Sequence, residues 1–267
     1  MTQTIPTSPC EGAQSSAQIG LPPIVHSAVR GIASRFVFLE DCYVKEIDAE
    51  VVSAEGNKVE LDRTIFCYQG GGQPSDTGKI INSNGEEYAV ADVKKESGTI
   101  INYLDREGLK KGDKVRCVLD WDRRHKLMMY HTAAHILSAI VNKRTGALIT
   151  GNQIETEQAR FDFNIENFDR SVIEECVKEA NAAIKRRMAV KMYFLPREEA
   201  LKIPGMVKLA AAVPPQVANL RIVEIGDVDT QADGGTHVAN TSEIGKIEII
   251  KMDNKGKSNR RVYFKLV

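Results

Sequence analysis

Cysteine is scarce in this chain and net charge is absent. Five cysteines in 267 residues, Cys10, Cys42, Cys67, Cys117 and Cys176, are odd in number and never form a Cys-x-x-Cys pair. That pattern excludes a disulfide-built scaffold and a thiolate-rich zinc site, and it fits free thiols in a reducing, cytoplasmic compartment. Lys and Arg number 36 against 36 Asp and Glu, which argues against indiscriminate binding of polyanions. No apolar run approaches the length that crosses a bilayer, so no membrane role is expected. The first 24 residues have neither an apolar h-region nor an arginine-rich amphipathic pattern. Their Ser, Gln, Pro, Thr and Gly predict a disordered tail.

What is present divides unevenly. Residues 1–119 hold 13 basic and 17 acidic side chains, and residues 120–267 hold 23 and 19. The second part is the basic one, which permits a phosphate-bearing partner without requiring it. From residue 25 to 121 short alternating segments, such as Lys58 to Leu61, Tyr88 to Val93 and Val115 to Leu119, are punctuated by Glu55-Gly56-Asn57, Ser83-Asn84-Gly85 and Lys111-Gly112-Asp113. Hairpin spacing of this kind predicts a small antiparallel barrel, with Phe36 to Phe38 as its first strand. Residues 122–267 alternate helix and strand: a helix over 122–142, a strand at Ala159 to Phe163, an amphipathic helix from Asp169 to Met188, strands at Val190 to Leu195 and Arg221 to Ile225, and a C-terminal hairpin. The fold class expected is α+β, a barrel domain followed by a two-layer domain of sheet and helices.

His131-Thr-Ala-Ala-His135 carries the first chemical motif. In a helix the two imidazoles lie one turn apart on one face, a spacing at which both reach a single cation. Helical spacing also predicts an apolar back, with Met129, Ala133, Ile136, Leu137 and Ile140, behind a histidine-bearing front. His125 falls well round the helix and is left out. A hundred residues on, Asp233-Gly-Gly-Thr-His237 offers a third imidazole from a tight turn. Three histidines with Asp233 resemble an open metal site, with a position left for water or substrate. Thr132 stands where a zinc peptidase of the HExxH type has its glutamate, so peptide hydrolysis is disfavoured.

Gly70-Gly71-Gly72-Gln73-Pro-Ser-Asp-Thr-Gly78 fails both as a dinucleotide fingerprint and as a P-loop. Two readings remain: a backbone that approaches a ligand closely, or a barrel corner that needs positive φ.

Thr64 to Gly78, the HTAAH pair, Ala159-Arg-Phe-Asp-Phe163, the DGGTH turn and Thr241-Ser-Glu-Ile-Gly245 occur in an order that resembles the AlaX family of alanyl-tRNA editing proteins over about residues 35–267. The resemblance implies a trans-editing deacylase that removes serine, or glycine, from tRNA(Ala). It implies a Zn2+ ion on His131, His135, His237 and a fourth residue, Thr64 near the serine hydroxyl, and Gly70, Gly71, Gly72 and Gln73 near the acylated 3′ end. The family pattern has cysteine where this chain has Asp233, so a carboxylate is expected as fourth ligand or catalytic group. Lys257, Arg260 and Arg261 of the basic hairpin are expected to meet the RNA. A small-molecule metal hydrolase and a non-catalytic tRNA-binding protein are the alternative readings.

Overall fold

A computed structural model describes residues 35–165, 169–203, 206, 217–256 and 259–267. The expected N-terminal tail, the segment His26 to Ser34, Pro204-Gly205 and Lys257 lie outside the described residues.

Strand β1 (Arg35–Phe36) pairs in parallel with β4 (Arg63–Thr64) and is followed by one helical turn, α1 (Val37–Glu40). The strand expected over Phe36 to Phe38 therefore stops at Phe36. Phe38 instead turns inward and is fully buried in the barrel core. Six strands close the barrel: β2 (Glu46–Glu55), β3 (Lys58–Leu61), β5 (Gly78–Asn82), β6 (Glu87–Glu96), β7 (Thr99–Leu104) and β8 (Lys114–Leu119), in the order β2-β3-β7-β6-β5-β8. Every pair is antiparallel, and alternate residues such as Val51, Val59, Ile80 and Cys117 fill the interior. The turns foreseen at Gly56, Gly85 and Gly112 have positive φ at each glycine. Closure leaves no free edge, so the barrel is a rigid base for the loop that leaves it after β4.

Helix α2 (Trp121–Thr145) begins at Asp120, whose side chain accepts from Arg123 N–H, and ends at Gly146 with φ 74°. The expected two-faced helix is not what forms. Residues 130–141 are buried on every side, because the barrel loop, the helix α3 (Arg170–Lys185) and two sheets enclose it. One sheet has the order β14-β15-β10-β9, with β9 (Ile149–Ile154), β10 (Ala159–Phe163), β14 (Ile247–Asn254) and β15 (Arg260–Leu266). The other is β11 (Val190–Pro196), β12 (Asn219–Ile225) and β13 (Asp229–Ala232), with the short α4 (Arg197–Ala200) beside it. All pairs in both sheets are antiparallel. Four cysteines, Cys42, Cys67, Cys117 and Cys176, are free and buried. No helix among the described residues is long and apolar enough to cross a membrane.

Arg124, in the first turn of α2, is the largest fully buried side chain and joins the helix to the barrel loop. Its Nε bonds both carboxylate oxygens of Asp76 at 2.9 and 3.1 Å, and Nη2 bonds Asp76 again. Nη1 donates to Cys42 O at 3.0 Å and Nη2 to Ile65 O at 2.6 Å. Asp76 also accepts the Cys67 N–H at 2.5 Å. Both charges are desolvated but saturated with hydrogen bonds, the condition under which a buried pair is tolerated. Arg124→Met is expected to lower unfolding free energy by about 3–5 kcal/mol, because Asp76 is left charged and unpaired in the interior. Urea denaturation checks this, and Arg124→Met combined with Asp76→Leu recovers a substantial part of the loss.

Candidate active site

His131 and His135 occupy successive turns of α2, and His237 follows the turn after β13. The ring centroids are 5.0, 4.3 and 4.8 Å apart for the pairs 131–135, 131–237 and 135–237. One ligand atom from each, with one from Asp233, lies within 4.8 Å of every other, so the four residues could hold a metal ion. His125, left out on helical grounds, is elsewhere, stacked on Trp121 and bonded to Glu243 at 2.9 Å.

The hydrogen bonds assign the protons. His131 Nδ1 faces Gln73 Oε1 at 2.9 Å, an oxygen that also accepts Thr236 N–H at 3.2 Å, while Gln73 Nε2 donates to Thr236 Oγ1 at 3.0 Å. The amide is thereby oriented, and His131 Nδ1 must carry the proton. His135 Nδ1 lies 2.9 Å from Asp229 Oδ2, a buried carboxylate that also accepts from Gln231 Nε2 at 2.7 Å. Thr132 gives its hydroxyl proton to Met128 O at 2.9 Å, so its oxygen accepts from His237 Nδ1 and Val238 N, each at 3.2 Å. Each histidine therefore spends Nδ1–H on an outer partner and presents the Nε2 lone pair inward.

Asp233 completes the inward set. Its Oδ1 accepts Gly235 N–H at 2.7 Å and stands 3.0 Å from His237 Nε2; its Oδ2 is 3.8 Å from His131 Nε2. An Nε2 lone pair set 3.0 Å from a carboxylate oxygen calls for positive charge between them, which is the condition a bound cation satisfies. Arg221, on β12, holds the turn from behind by donating Nη1 to Asp233 O at 3.0 Å and Gly235 O at 2.9 Å.

Burial governs the protonation states. It pushes His237 down to about 4 and His131 well below the usual imidazole range, with Asp233 opposing the shift in both. For Asp233 burial works upward, but the adjoining His131, His237 and His135 outweigh it and hold the carboxyl well below its ordinary value. Near neutrality His131 and His237 are neutral imidazoles beside a carboxylate, the forms that ligate metal.

The glycine-rich segment makes a two-residue reversal. Gly70 and Gln73 exchange backbone hydrogen bonds at 3.0 and 2.9 Å, and Gly71 and Gly72 both have positive φ, 58° and 85°. Its tip docks on β9: Asn152 Nδ2 donates to Gly71 O at 2.7 Å and Ile154 N to Gly72 O at 2.8 Å. The positive φ of Gly71 and Gly72 fits the second reading of this loop, and Asn152 packs closely against Gly72. Beside it lies a cleft of about 620 Å³ lined by Gly70, Gly72, Pro74, Arg123, Asn152 and Thr156, among others.

Of the remaining expected residues, Gln73 joins the histidine cluster and the others make separate contacts. Gln73 is buried and its amide is used on His131 and Thr236. Thr64 is buried at the end of β4, where its hydroxyl accepts Phe66 N–H at 3.0 Å. Arg260 is buried and donates to Asn254, Gly256 and Asn259 of its own hairpin. Arg261 grips Asp162 with bonds of 2.6 and 2.7 Å. Both arginines are engaged within their own sheet, and Lys257 lies outside the described residues. Gln73 as a holder of His131, Asp229, Thr132 and Arg221 are the residues that the motif reading does not supply. Only the Thr at position 132 drew attention, and for what it excludes.

Two family models match the chain: "Threonyl and Alanyl tRNA synthetase second additional domain" over residues 220–263 and "tRNA synthetases class II (A)" over residues 33–123. The alanyl-tRNA editing protein AlaX-M of Saccharolobus solfataricus is 50% identical over 230 residues, which cover 85% of this chain and 97% of that protein. AlaX-M of Methanosarcina barkeri is 46% identical over 238 residues, 86% of this chain and 98% of the relative. AlaX-L of Pyrococcus horikoshii is 39% identical over 237 residues, but only 57% of that longer protein is covered.

Two outcomes follow from the geometry. A Cβ on Gly235 would lie 2.3 Å from His131 Cε1 and 2.6 Å from its Nδ1, whereas one on Gly234 would meet nothing closer than the Tyr68 hydroxyl at 3.9 Å. Gly235→Ala is expected to lower metal affinity at least tenfold in a chelator competition, and Gly234→Ala to leave it within about twofold. The second outcome concerns the metal-free protein. The unfolded chain takes up a proton at His237 near pH 6.5 and the folded chain only near 4. Between these values the unfolded state binds more protons, so stability falls as pH drops through the window, by about 3 kcal/mol from this residue. Urea unfolding at pH 7 and 4.5 should show a loss smaller by about that amount in His237→Gln, and equal losses would refute it.

Proposed function

The chain belongs to the AlaX family of alanyl-tRNA editing proteins, and from that membership we propose that it is a deacylase acting in trans on tRNA(Ala) esterified with the wrong amino acid, serine or glycine. The observation that carries the reading is the convergence of three Nε2 lone pairs and one carboxylate beside the glycine-rich loop. Zinc is the ion this set fits: imidazole and carboxylate ligands, each imidazole held by an outer acceptor, four donors at one point. His131, His135, His237 and Asp233 would hold it, and what it would supply is positive charge next to the scissile ester. A carboxyl held as far down as Asp233 is a weak proton acceptor, so ligation is the role assigned to it.

An aminoacyl ester is already activated, and positioning it is the larger part of the task. Gly70 and Gly72 border the cleft of about 620 Å³ that would receive the acylated end. Gln73 acts from behind, fixing the tautomer and ring of His131. Thr64 accepts from Phe66 N–H and keeps its own hydroxyl proton to give to a serine side chain. A buried group built for that hydroxyl is left unpaired by alanine, which is how serine would be singled out. Thr132 in place of a glutamate leaves the helix without the base that amide cleavage uses, in keeping with an ester substrate.

The test is hydrolysis of Ser-tRNA(Ala), Gly-tRNA(Ala) and Ala-tRNA(Ala) by the wild type and by His131→Ala, with and without chelator. Serine is expected to leave at least tenfold faster than alanine. His131→Ala lowers that rate by about 100-fold or more, and chelation abolishes it until zinc is returned. Absence of hydrolysis of every ester by the zinc-loaded wild type would overturn the reading.

A further inference from the structure

The chain has seven tyrosines, and all lie in described parts of the fold. Six of their hydroxyls make hydrogen bonds: Tyr43 and Tyr193 to glutamates, Tyr88 and Tyr103 likewise, Tyr130 with Leu266 N and Tyr263 with Arg261. Among the described residues Tyr68 alone has a hydroxyl with no such partner; only its backbone carbonyl is engaged. Half-buried phenols ordinarily find a partner, so an unused one beside a reactive centre points to a ligand.

Its position is specific. Tyr68 opens the glycine-rich loop, and its ring lies along Gly70, where an added Cβ would come within 3.3 Å of Cε2. The hydroxyl end reaches the metal-site turn, 3.9 Å from where a Cβ on Gly234 would be, and Asp233 is close enough to act on it. Gly70 and Gly234 are both exposed, so this is the open rim of the histidine cluster. Phe38 packs edge-on against the ring, with centroids 6.2 Å apart, and fixes its plane.

A cation stands over the same ring. Lys95 Nζ is 5.5 Å from the Tyr68 centroid, and β6, which carries it, is tied to the loop by Gln69 N–H donating to Val93 O at 3.1 Å. The neighbouring Lys94 pairs with Asp92 at 3.3 Å, whereas among the described residues no carboxylate pairs with Lys95. A hydroxyl beside the metal-site turn and an ammonium over the same aromatic ring match the polar groups of a nucleotide.

We propose that Tyr68 and Lys95 grip the terminal nucleotide of the substrate, Tyr68 donating its hydroxyl proton to the ribose oxygen beside the ester and Lys95 meeting the phosphate on the 5′ side. The assignment rests on the deacylase reading and adds two substrate-contacting residues to it. The test compares two esters, Ser-tRNA(Ala) and seryl-adenosine, which carries the ribose ester but no phosphate.

Tyr68→Phe is expected to lower kcat/KM about tenfold on both esters, with zinc content and melting temperature unchanged. Lys95→Ala lowers kcat/KM on the tRNA three- to tenfold through KM, and reduces the slope of log(kcat/KM) against log salt by about one. Its loss on seryl-adenosine is smaller by at least threefold. Hydrolysis by the wild type with Tyr68→Phe within twofold on both esters overturns the Tyr68 assignment alone. An equal loss for Lys95→Ala on both esters overturns the phosphate contact. A zinc-loaded wild type that cleaves neither ester overturns the deacylase reading, and this assignment with it.

Discussion

One guanidinium holds the histidine cluster in register with the barrel. Arg124 distributes its donors over Asp76 of the glycine-rich segment, Ile65 O at the barrel rim and Cys42 O after α1, so three chain segments are fixed to the first turn of α2. His131 lies seven residues along that helix, two turns on the same face, and Gln73 lies three residues before Asp76. The bond between Gln73 and His131 is therefore a second attachment between the same two segments, set by the first. Barrel and histidine helix could not drift against each other without leaving Asp76 charged in an apolar interior.

The outer hydrogen bonds give the cluster a common logic by three different means. An amide carbonyl, a carboxylate and a hydroxyl each take one Nδ1 proton, and the three Nε2 lone pairs are left convergent. The partners come from the barrel loop, from β13 and from α2 itself. The partner of His135, Asp229, is a carboxylate, whereas those of His131 and His237 are neutral and leave burial to dominate their protonation.

Much of this was legible in the amino-acid sequence where the information is local. The pair at 131 and 135 follows from helical spacing, the barrel strands from alternation between turn residues, and the turn at 233–237 from its glycines. What depended on distant packing was not. Strand β5 (Gly78–Asn82) and the residues Asp229 and Arg221 carry no periodic or motif signature; β5 is fixed by pairing with β6 and β8, and the roles of Asp229 and Arg221 exist only once β12 and β13 lie beside α2. Helix α2 looked two-sided because its polar residues are histidines, Ser138 and Thr132, which the fold buries with their partners instead of exposing. The glycine at 235 is required for closeness to His131 and not for a left-handed backbone, a distinction that only coordinates make.

The four converging side chains contain no sulfur. A thiolate ligand climbs readily from sulfenic to sulfinic acid in peroxide and then releases its metal, whereas a carboxylate has no such ladder. The thiols this chain does have in its described residues, at 42, 67, 117 and 176, are all buried in packed surroundings. Asp233 thus removes thiol oxidation as a route by which the proposed centre could lose its metal.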